Sequence, residues 1–547
     1  MKNFVRLFLF IVLVVTSIAG FAQHPEVVPP SFEKKGLSMN IPLIKSSSLD
    51  KAALLLEDEE SMKMGNPLRI AVMQPLNYTM DNSGRLDKLG DGSQIWRLNI
   101  QSPGADRVEL HLTEVSIPDE ARIYVYDPSH TSILGDFSMK DLLENNQLLT
   151  EEVPGDEIII EYYQPAEAEF DGSFVISNIG HNYRGNLFSK GSHGNSEEDC
   201  YVDVNCAEGE GWRDQINSAV FLKLTINSGS NAGTYFCSGA MINNVRQDKT
   251  PYVLTADHCD MGGSVFRFFF NYQAATCGSS NGSAGNMVLG GVIRARAPRS
   301  NSSDFMLVEI TGEITDVVKE NLYFAGWDIT GSTPSVGAGI HHPGGDFKKI
   351  SIPQTVFSGS TNFARYWGVR WLPGYLNKGV TEGGSSGSPL FGANKKIVGQ
   401  LWGGSSNCDR PTSGDYYGKL SWSWTNGNIG EVSAQIKPWL DPDNTGITLL
   451  DGIYYLETVD VSDLPSSHPS IEVYPNPTTG VFTIKGDFGN TEVQCEIYTL
   501  LGTLVQVDRF PNQSEISMDL SNLENGIYFL KLTYDQNVQT VKLIIAK

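Results

Sequence analysis

The sequence predicts a mainly β chain of several domains, and three observations carry that prediction. The 55 glycines and frequent Ser/Thr/Asn clusters suggest short strands closed by turns. Segments such as Ile95–Ile100, Val108–Leu112 and Ile158–Tyr163 alternate or run apolar, as strands do. The 547 residues exceed what one core can organise and suggest three or four domains. With 40% hydrophobic and 19% charged residues, the composition is that of a folded chain. A formal net charge of −23, with no basic stripe, excludes a nucleic-acid binder and describes an acidic soluble surface.

Taken in order, the chain opens on a processing signal. Lys2 and Arg6 supply positive charge, Leu7–Ile18 is an apolar core too short to span a bilayer comfortably, and Gly20-Phe21-Ala22 places small residues where a signal peptidase reads. Cleavage is expected after Ala22. Residues 23–66 are mixed, with a short helix expected to begin over Leu54–Glu60. From Leu68 to Gln164 the strand segments above make a strand-rich module, expected to be a small sandwich without catalytic residues. Residues 165–199 loosen into Gly, Ser, Asn and Glu, which reads as a boundary. The region of about 200–453 has short strands, with its best helix candidate at Glu431–Leu440. A linker containing Pro465, Ser466, Ser467 and Pro469 leads to a last strand module, Ile471–Lys547.

All seven cysteines lie beyond residue 199, six of them between Cys200 and Cys408, with Cys495 apart. In an exported chain, six cysteines in one region read as three disulfides. Paired CxxC units and HExxH are absent, which argues against zinc. No metal or organic cofactor is required by the chemistry that follows.

That chemistry rests on Gly384-Ser385-Ser386-Gly387-Ser388-Pro389 together with Thr255-Ala256-Asp257-His258-Cys259. A serine hydroxyl attacks a carbonyl only when an imidazole takes its proton and N–H groups hold the developing oxyanion. Ser386 is the candidate nucleophile, leading into the apolar Pro389-Leu390-Phe391, and the N–H groups of Gly384 and Ser386 are the candidate oxyanion hole. His258, after the apolar Tyr252-Val253-Leu254, is the candidate base. Asp304 precedes the apolar Phe305–Val308 and is the candidate orienter, fixing the imidazole tautomer. Asp257 and Asp260 flank the histidine but point the wrong way on an extended chain. The order His258, Asp304, Ser386 is the chymotrypsin order.

Cys200–Asp451 resembles the secreted bacterial lysyl endopeptidases, trypsin-like enzymes that cut after lysine. The matching residues include Cys200 and Cys206, Glu208-Gly209-Glu210-Gly211, Leu254–Cys259, Ala325–Asp328, Ile340-His341-His342-Pro343, Val380-Thr381-Glu382 leading into Ser385–Pro389, Gly399-Gln400-Leu401 and Trp439–Pro442. The resemblance implies a chymotrypsin-like double β-barrel with the triad in the cleft, and the disulfides Cys200–Cys408, Cys206–Cys277 and Cys237–Cys259. The last closes a short loop carrying the histidine, worth roughly 3 kcal/mol by chain entropy. In ordinary trypsins an aspartate six residues before the serine holds the basic side chain; Val380 stands there. The resemblance assigns that task to Asp415, in Ser413–Gly418. One departure is Trp402, where the family's type member has a histidine stacked on a tryptophan; Trp367 is the nearest candidate for that tryptophan. Leu401–Gly404, including Gly403, is expected to run beside the substrate backbone as an added strand partner.

Residues 471–547 resemble the C-terminal sorting domain of type IX secretion, through Tyr474–Pro477, Leu501-Gly502, Asn525–Tyr528 and the final Val541–Ile545. Residues 23–190 look like a propeptide that can template the barrels and cover the cleft, with self-cleavage expected at Lys190-Gly191. The expected layout is thus signal peptide 1–22, strand-rich propeptide 23–190, trypsin-like domain 191–453, linker 454–470 and β-sandwich sorting domain 471–547. The expected function is a secreted or cell-surface serine endopeptidase, a monomer cutting after lysine, exported across both membranes by outer-membrane secretion machinery. Two alternatives stay open: a trypsin-like protease of broader or different specificity, because of Trp402, and a secreted β-sandwich adhesin with a degenerate protease domain.

Overall fold

A computed structural model describes residues 27–143, 145–185, 200–359, 363–372, 379–425, 431–456, 471–486, 488, 492–499, 504–511, 513–534 and 537–547. The export signal, Lys190-Gly191, the 465–469 linker and Leu501-Gly502 lie outside these residues. The chain divides into two units, Met1–Leu456 and Glu457–Lys547.

The first helix is Lys51–Lys63. Asp50 caps it, its carboxylate accepting the N–H groups of Ala52 and Ala53 at 2.9 and 3.2 Å. The turn that ends it runs through Gly65 at φ +80°, where a side chain would be strained. No apolar stripe docks this helix. Instead buried Asp58 accepts from Arg69, Tyr183 and Arg184 at 2.7–2.8 Å.

The expected strands form Gln94–Gln101, Arg107–Ser116 and Glu157–Gln164. They close as the expected sandwich, Leu98, Ile123 and Ile160 of one sheet packing on Leu110, Leu112 and Ile176 of the other, but it does not stand apart. Strand Leu68–Thr79 pairs with Ser173–Asn182 on one side and, through Leu68↔Phe236 and Ala71↔Thr234, with Gly233–Met241 of the middle region on the other. The N-terminal module therefore extends a sheet of the region it precedes. Ser173–Asn182 also corrects the loose boundary expected from residue 165, since its alternate residues Phe174, Ile176 and Ile179 enter the core.

A buried charge network holds this junction. The Arg267 guanidinium donates to Glu109 (2.7 Å), Glu151 (2.9 Å) and Thr225 (2.5 Å). Thr234 donates to Glu109 at 2.7 Å, and Lys223 lies 3.4 Å from Glu152. Burial alone would raise the Glu109 carboxyl, but Arg267 and Lys223 outweigh it and hold it well below the usual carboxylate range. Removing one partner of such a set leaves an uncompensated buried charge. Glu109→Gln is expected to lower the unfolding free energy of the full chain by about 3 kcal/mol near neutral pH. Because the native carboxyl is shifted down, that difference should shrink as pH falls below the normal glutamate range. An unchanged denaturant midpoint at pH 7 would refute this.

Two antiparallel β layers make up the middle region. In the first, the spatial order is Asn286–Leu289, Val265–Phe270, Ala219–Ile226, Gly233–Met241, Tyr252–Thr255, Phe305–Ile310 and Gly291–Ala297. Val220, Leu222, Met241, Val253, Met306 and Val308 fill its interior. In the second the order is Val202–Asp203, Lys349–Ser351, Ala338–His341, Pro389–Phe391, Ile397–Gly404, Asp415–Lys419, Tyr366–Trp371 and Pro353–Ser358. Trp367, Trp371, Leu390, Leu401 and Tyr417 pack there. The helix expected over Glu431–Leu440 is broken into a 3-10 turn, Val432–Ala434, and a short helix, Lys437–Leu440. Pro438 explains the break: it restricts the residue before it and opens a helix better than it continues one. Three disulfides join Cys200–Cys408, Cys206–Cys277 and Cys237–Cys259.

In the second unit, strands Glu472–Tyr474, Val481–Lys485 and Glu515–Asp519 form one sheet. Leu504–Phe510, Val493–Thr499, Gly526–Tyr534 and Asn537–Ile545 form the other. Phe482, Ile484, Ile497, Ile516, Leu530 and Leu543 make a core common to both. Cys495 is a free thiol in that core, pushed up to about 12 by burial.

Candidate active site

The turn Asp257–Cys259 follows strand Tyr252–Thr255 and is a 3-10 turn, not the extended end assumed from the sequence. It holds His258 against Asp304. The imidazole Nδ1 lies 2.6 Å from Asp304 Oδ2, and the His258 backbone N–H donates to Oδ1 at 3.1 Å. Asp304 is fully buried, immediately before strand Phe305–Ile310. Its φ of +59° is the left-handed conformation, a strain of about 1 kcal/mol that the surroundings must hold in place. They do so with Gln400, whose Nε2 donates to the carbonyls of Ser303 (2.9 Å) and Asp304 (3.3 Å). A Cβ on Gly418 would stand 1.9 Å from the Ser303 carbonyl, so the strands approach closely here.

Among the described residues neither Asp257 nor Asp260 bonds the imidazole; both carboxylates are engaged elsewhere. Arg296 grips both, its Nε donating to Asp257 Oδ1 at 2.5 Å and Nη1 to Asp260 Oδ2 at 2.6 Å. The disulfide Cys237–Cys259 fixes the turn from the other side.

That disulfide also leads to the serine. Next to Cys237, Ser238 donates its N–H to the Ser386 carbonyl (2.8 Å) and its hydroxyl to the Gly384 carbonyl (2.9 Å). Gly384 has φ +93°, and a Cβ there would meet the His342 carbonyl at 2.9 Å. Among the described residues the N–H groups of Gly384 and Ser386 have no partner, whereas those of Ser385, Gly387 and Ser388 are bonded. His258 and Asp304 are thus joined directly. Ser386 meets their layer at Ser238, and among the described residues no hydrogen bond links its hydroxyl to the imidazole. Such bonds often tighten only when substrate binds.

Ser386 lines a cavity of about 790 Å³ shared with Thr381, Trp402, Gly403 and Asp415. Asp415 is 1% exposed. Its Oδ2 accepts from Trp371 Nε1 (2.6 Å), Thr381 Oγ1 (2.7 Å) and the Ser406 hydroxyl, and its Oδ1 accepts from the Ser406 N–H (3.1 Å). A Cβ on Gly404 would lie 2.0 Å from Oδ1, so only glycine fits beside that oxygen. Among the described residues Asp415 forms no salt bridge. Val380 is fully buried and apolar.

Trp402 does not stack on Trp367. The Trp367 ring is buried, with Nε1 donating to the Val398 carbonyl at 3.0 Å. Tyr366, one residue earlier and so on the opposite strand face, is 5.4 Å from Trp402; Tyr416 is at 5.9 Å and the Arg299 guanidinium at 5.9 Å. Glu59, Met62, Lys63, Met64, Gly65 and Asn66 line the same cavity, and Arg299 donates to the Met64 carbonyl. The N-terminal module therefore walls one side of the cleft.

Among the described residues no group of three or more His, Cys, Asp or Glu is arranged to hold a metal ion. Trp371, Ser406 and Arg296 stand in no run singled out in the sequence; Thr381 and Gln400 lie in runs that match the family, but their bonds to Asp415 and to the Ser303 and Asp304 carbonyls are not written there.

Residues 194–418 match the family described as lysyl endopeptidase, C-terminal domain, and residues 472–546 match the secretion system C-terminal sorting domain. The lysyl endopeptidase of Pseudomonas aeruginosa is 27% identical over 361 residues, covering 60% of this chain and 74% of that protein. Ulvan lyase NLR42 of Nonlabens ulvanivorans is 37% identical over 92 residues, 16% of this chain and 17% of that enzyme. A solved Glu endopeptidase in complex with MPD aligns over 40% of this chain and 92% of its own, at 17% identity and a TM-score of 0.27.

Proposed function

Starting from a chain that is a secreted serine endopeptidase with a C-terminal sorting domain, we propose that it cuts peptide bonds after lysine through an acyl-enzyme. The observation that carries the lysine preference is Asp415: a buried carboxylate with no salt-bridge partner among the described residues, on the wall of the cavity that holds Ser386. A buried charge of this kind favours a cationic guest, and an uncharged one leaves it uncompensated.

In this reading Ser386 Oγ attacks the carbonyl carbon while His258 Nε2 takes its proton. Asp304 holds the imidazole by Nδ1–H and stabilises the imidazolium that forms. The N–H groups of Gly384 and Ser386 receive the oxyanion, and His258 then gives its proton to the leaving amine. Leu401–Gly404 pairs with the substrate backbone, and Gly403 borders open space on that strand. Residues 23–190 act as a propeptide, released by the enzyme at Lys190-Gly191, and the sorting domain delivers the chain to outer-membrane secretion machinery.

Digestion of a defined protein by the processed enzyme, with cut sites read by mass spectrometry, tests the specificity. Cuts are expected after lysine at least tenfold more often than after leucine, a ratio of the size a charge-reading pocket readily supplies, and more often than after arginine, whose larger head the same carboxylate does not exclude by charge. Equal cutting after arginine would favour the broader trypsin-like alternative, for which Trp402 beside Tyr366 is the specific observation. In Lys190→Ala, maturation at residue 191 is expected to stop; normal processing there would remove the self-cleavage reading.

A further inference from the structure

The motif Ile340-His341-His342-Pro343 takes no part in the chemistry above, yet its first histidine lies directly behind the nucleophile loop. His341 ends strand Ala338–His341 and is fully buried. Its Nδ1 is 2.7 Å from Ser385 Oγ and its Nε2 is 2.8 Å from Ser351 Oγ.

Backbone groups at the two outer ends fix the direction of every proton. The Val380 carbonyl can only accept, and it takes the Ser351 hydroxyl proton at 3.2 Å. Ser351 is then the acceptor for His341, whose hydrogen must sit on Nε2. At the other end the Glu382 N–H can only donate, to Ser385 Oγ at 3.2 Å. The Ser385 proton is left for the bare Nδ1. One neutral tautomer satisfies all four bonds. Burial, with Lys349 adding to it, pushes the imidazole down to about 3, so this form persists through ordinary working pH.

Both ends of the circuit fall on residues 380–385. Within that stretch Thr381 holds Asp415, and Ser385 stands between the two unpartnered amides of Gly384 and Ser386. We propose that His341 is a positioning residue of the protease: with Ser351 and Ser385 it locks the 380–385 loop, keeping the Gly384 and Ser386 N–H groups preformed to receive an oxyanion. The inference rests on Ser386 being the nucleophile.

Losing one oxyanion donor outright typically costs about 10²–10³ in kcat, so displacing the pair is expected to cost roughly 10- to 100-fold. The test compares His341→Ala, His341→Asn and His341→Gln in the processed enzyme. It measures kcat, KM and the Ki of a peptide aldehyde, which mimics the tetrahedral state, beside that of a product-like peptide. In His341→Ala, kcat should fall by that factor with KM changed less than about threefold, because the lost interaction acts in the transition state. Aldehyde affinity should fall in step, with product affinity retained. Asparagine places an acceptor near the former Nδ1 and should recover more kcat than glutamine, which reaches toward Ser351.

Unchanged aldehyde affinity, or equal losses in all three variants that track lost thermal stability, would overturn the proposal. If His341→Ala does not fold, Ser385→Ala breaks the same circuit with a smaller change and should show the same split between kcat and KM. An active Ser386→Ala would instead sink the catalytic reading itself. An inert Ser386→Ala beside a fully active His341→Ala would sink this inference alone.

Discussion

Ser386→Ala is expected to lower kcat on a lysyl amide by about 10⁴- to 10⁶-fold, the largest effect any single substitution in this chain should have. The size follows from the chemistry: without the hydroxyl no acyl-enzyme forms, and what remains is binding plus whatever the amides do for a water attack. The fold should not suffer. The loop is held by Gly384 and Ser386 carbonyl bonds to Ser238 and by the Gly387 N–H on the Leu401 carbonyl, none of which uses the Ser386 side chain. Thermal midpoint and circular dichroism should therefore match the parent while a fluorophosphonate no longer labels the protein. The variant also separates two processes. If residue 190 is cut by the enzyme itself, Ser386→Ala should accumulate with its N-terminal module attached and be processed when active enzyme is added. Retained hydrolysis would remove Ser386 as nucleophile.

The second large effect is expected at Asp415. In Asp415→Asn, kcat/KM on lysyl substrates should fall about 10²- to 10⁴-fold, the rate equivalent of the 3–5 kcal/mol that an unpaired buried charge costs. Here the uncompensated charge is the substrate ammonium. Asparagine keeps the shape and one carbonyl acceptor for Trp371, Thr381 and Ser406, so the cavity should survive. A leucyl substrate, which gains nothing from the carboxylate, should be hydrolysed at a rate within a few-fold of the parent, so that the proposed preference for lysine is lost. The ratio of lysyl to leucyl kcat/KM is the decisive quantity. A ratio that does not move would mean that the substrate side chain is read elsewhere, and the wall containing Trp402, Tyr416 and Arg299 would be the place to look.

The legible part of this site was the part written in short contiguous runs. Gly384–Pro389 and Thr255–Cys259 stand out as the candidate nucleophile and base runs because tight turns need glycine and small residues at fixed offsets. Asp304 was found because an acidic residue directly before an apolar strand stands at a layer's edge. The partners of those residues were not legible. Arg296, Gln400, Trp371, Thr381 and Ser406 each act across 9 to more than 90 positions of chain. Their residue types occur throughout the sequence, and although Thr381 and Gln400 stand in runs that match the family, nothing local says what they bond. The surroundings of Trp402 have the same origin at the finest scale: in a strand, a shift of one residue moves a side chain to the opposite face, and only the sheet register decided that Tyr366, and not its neighbour Trp367, meets Trp402. The Glu431–Leu440 error was avoidable, because Pro438 stands inside the run.

The sequence by itself determined which segments would be strands, where the chain would turn, and which three residue types could carry acyl transfer, since propensity, turn chemistry and nucleophile activation are local properties. Tertiary structure alone decided that the N-terminal module shares a sheet with the region it precedes, that Arg296 engages both Asp257 and Asp260, and that a neutral His341 can be bonded on both nitrogens. Those outcomes depend on which surfaces exclude water together. Burial is what makes an unpaired charge or an unmet hydrogen bond costly enough to choose one arrangement over another.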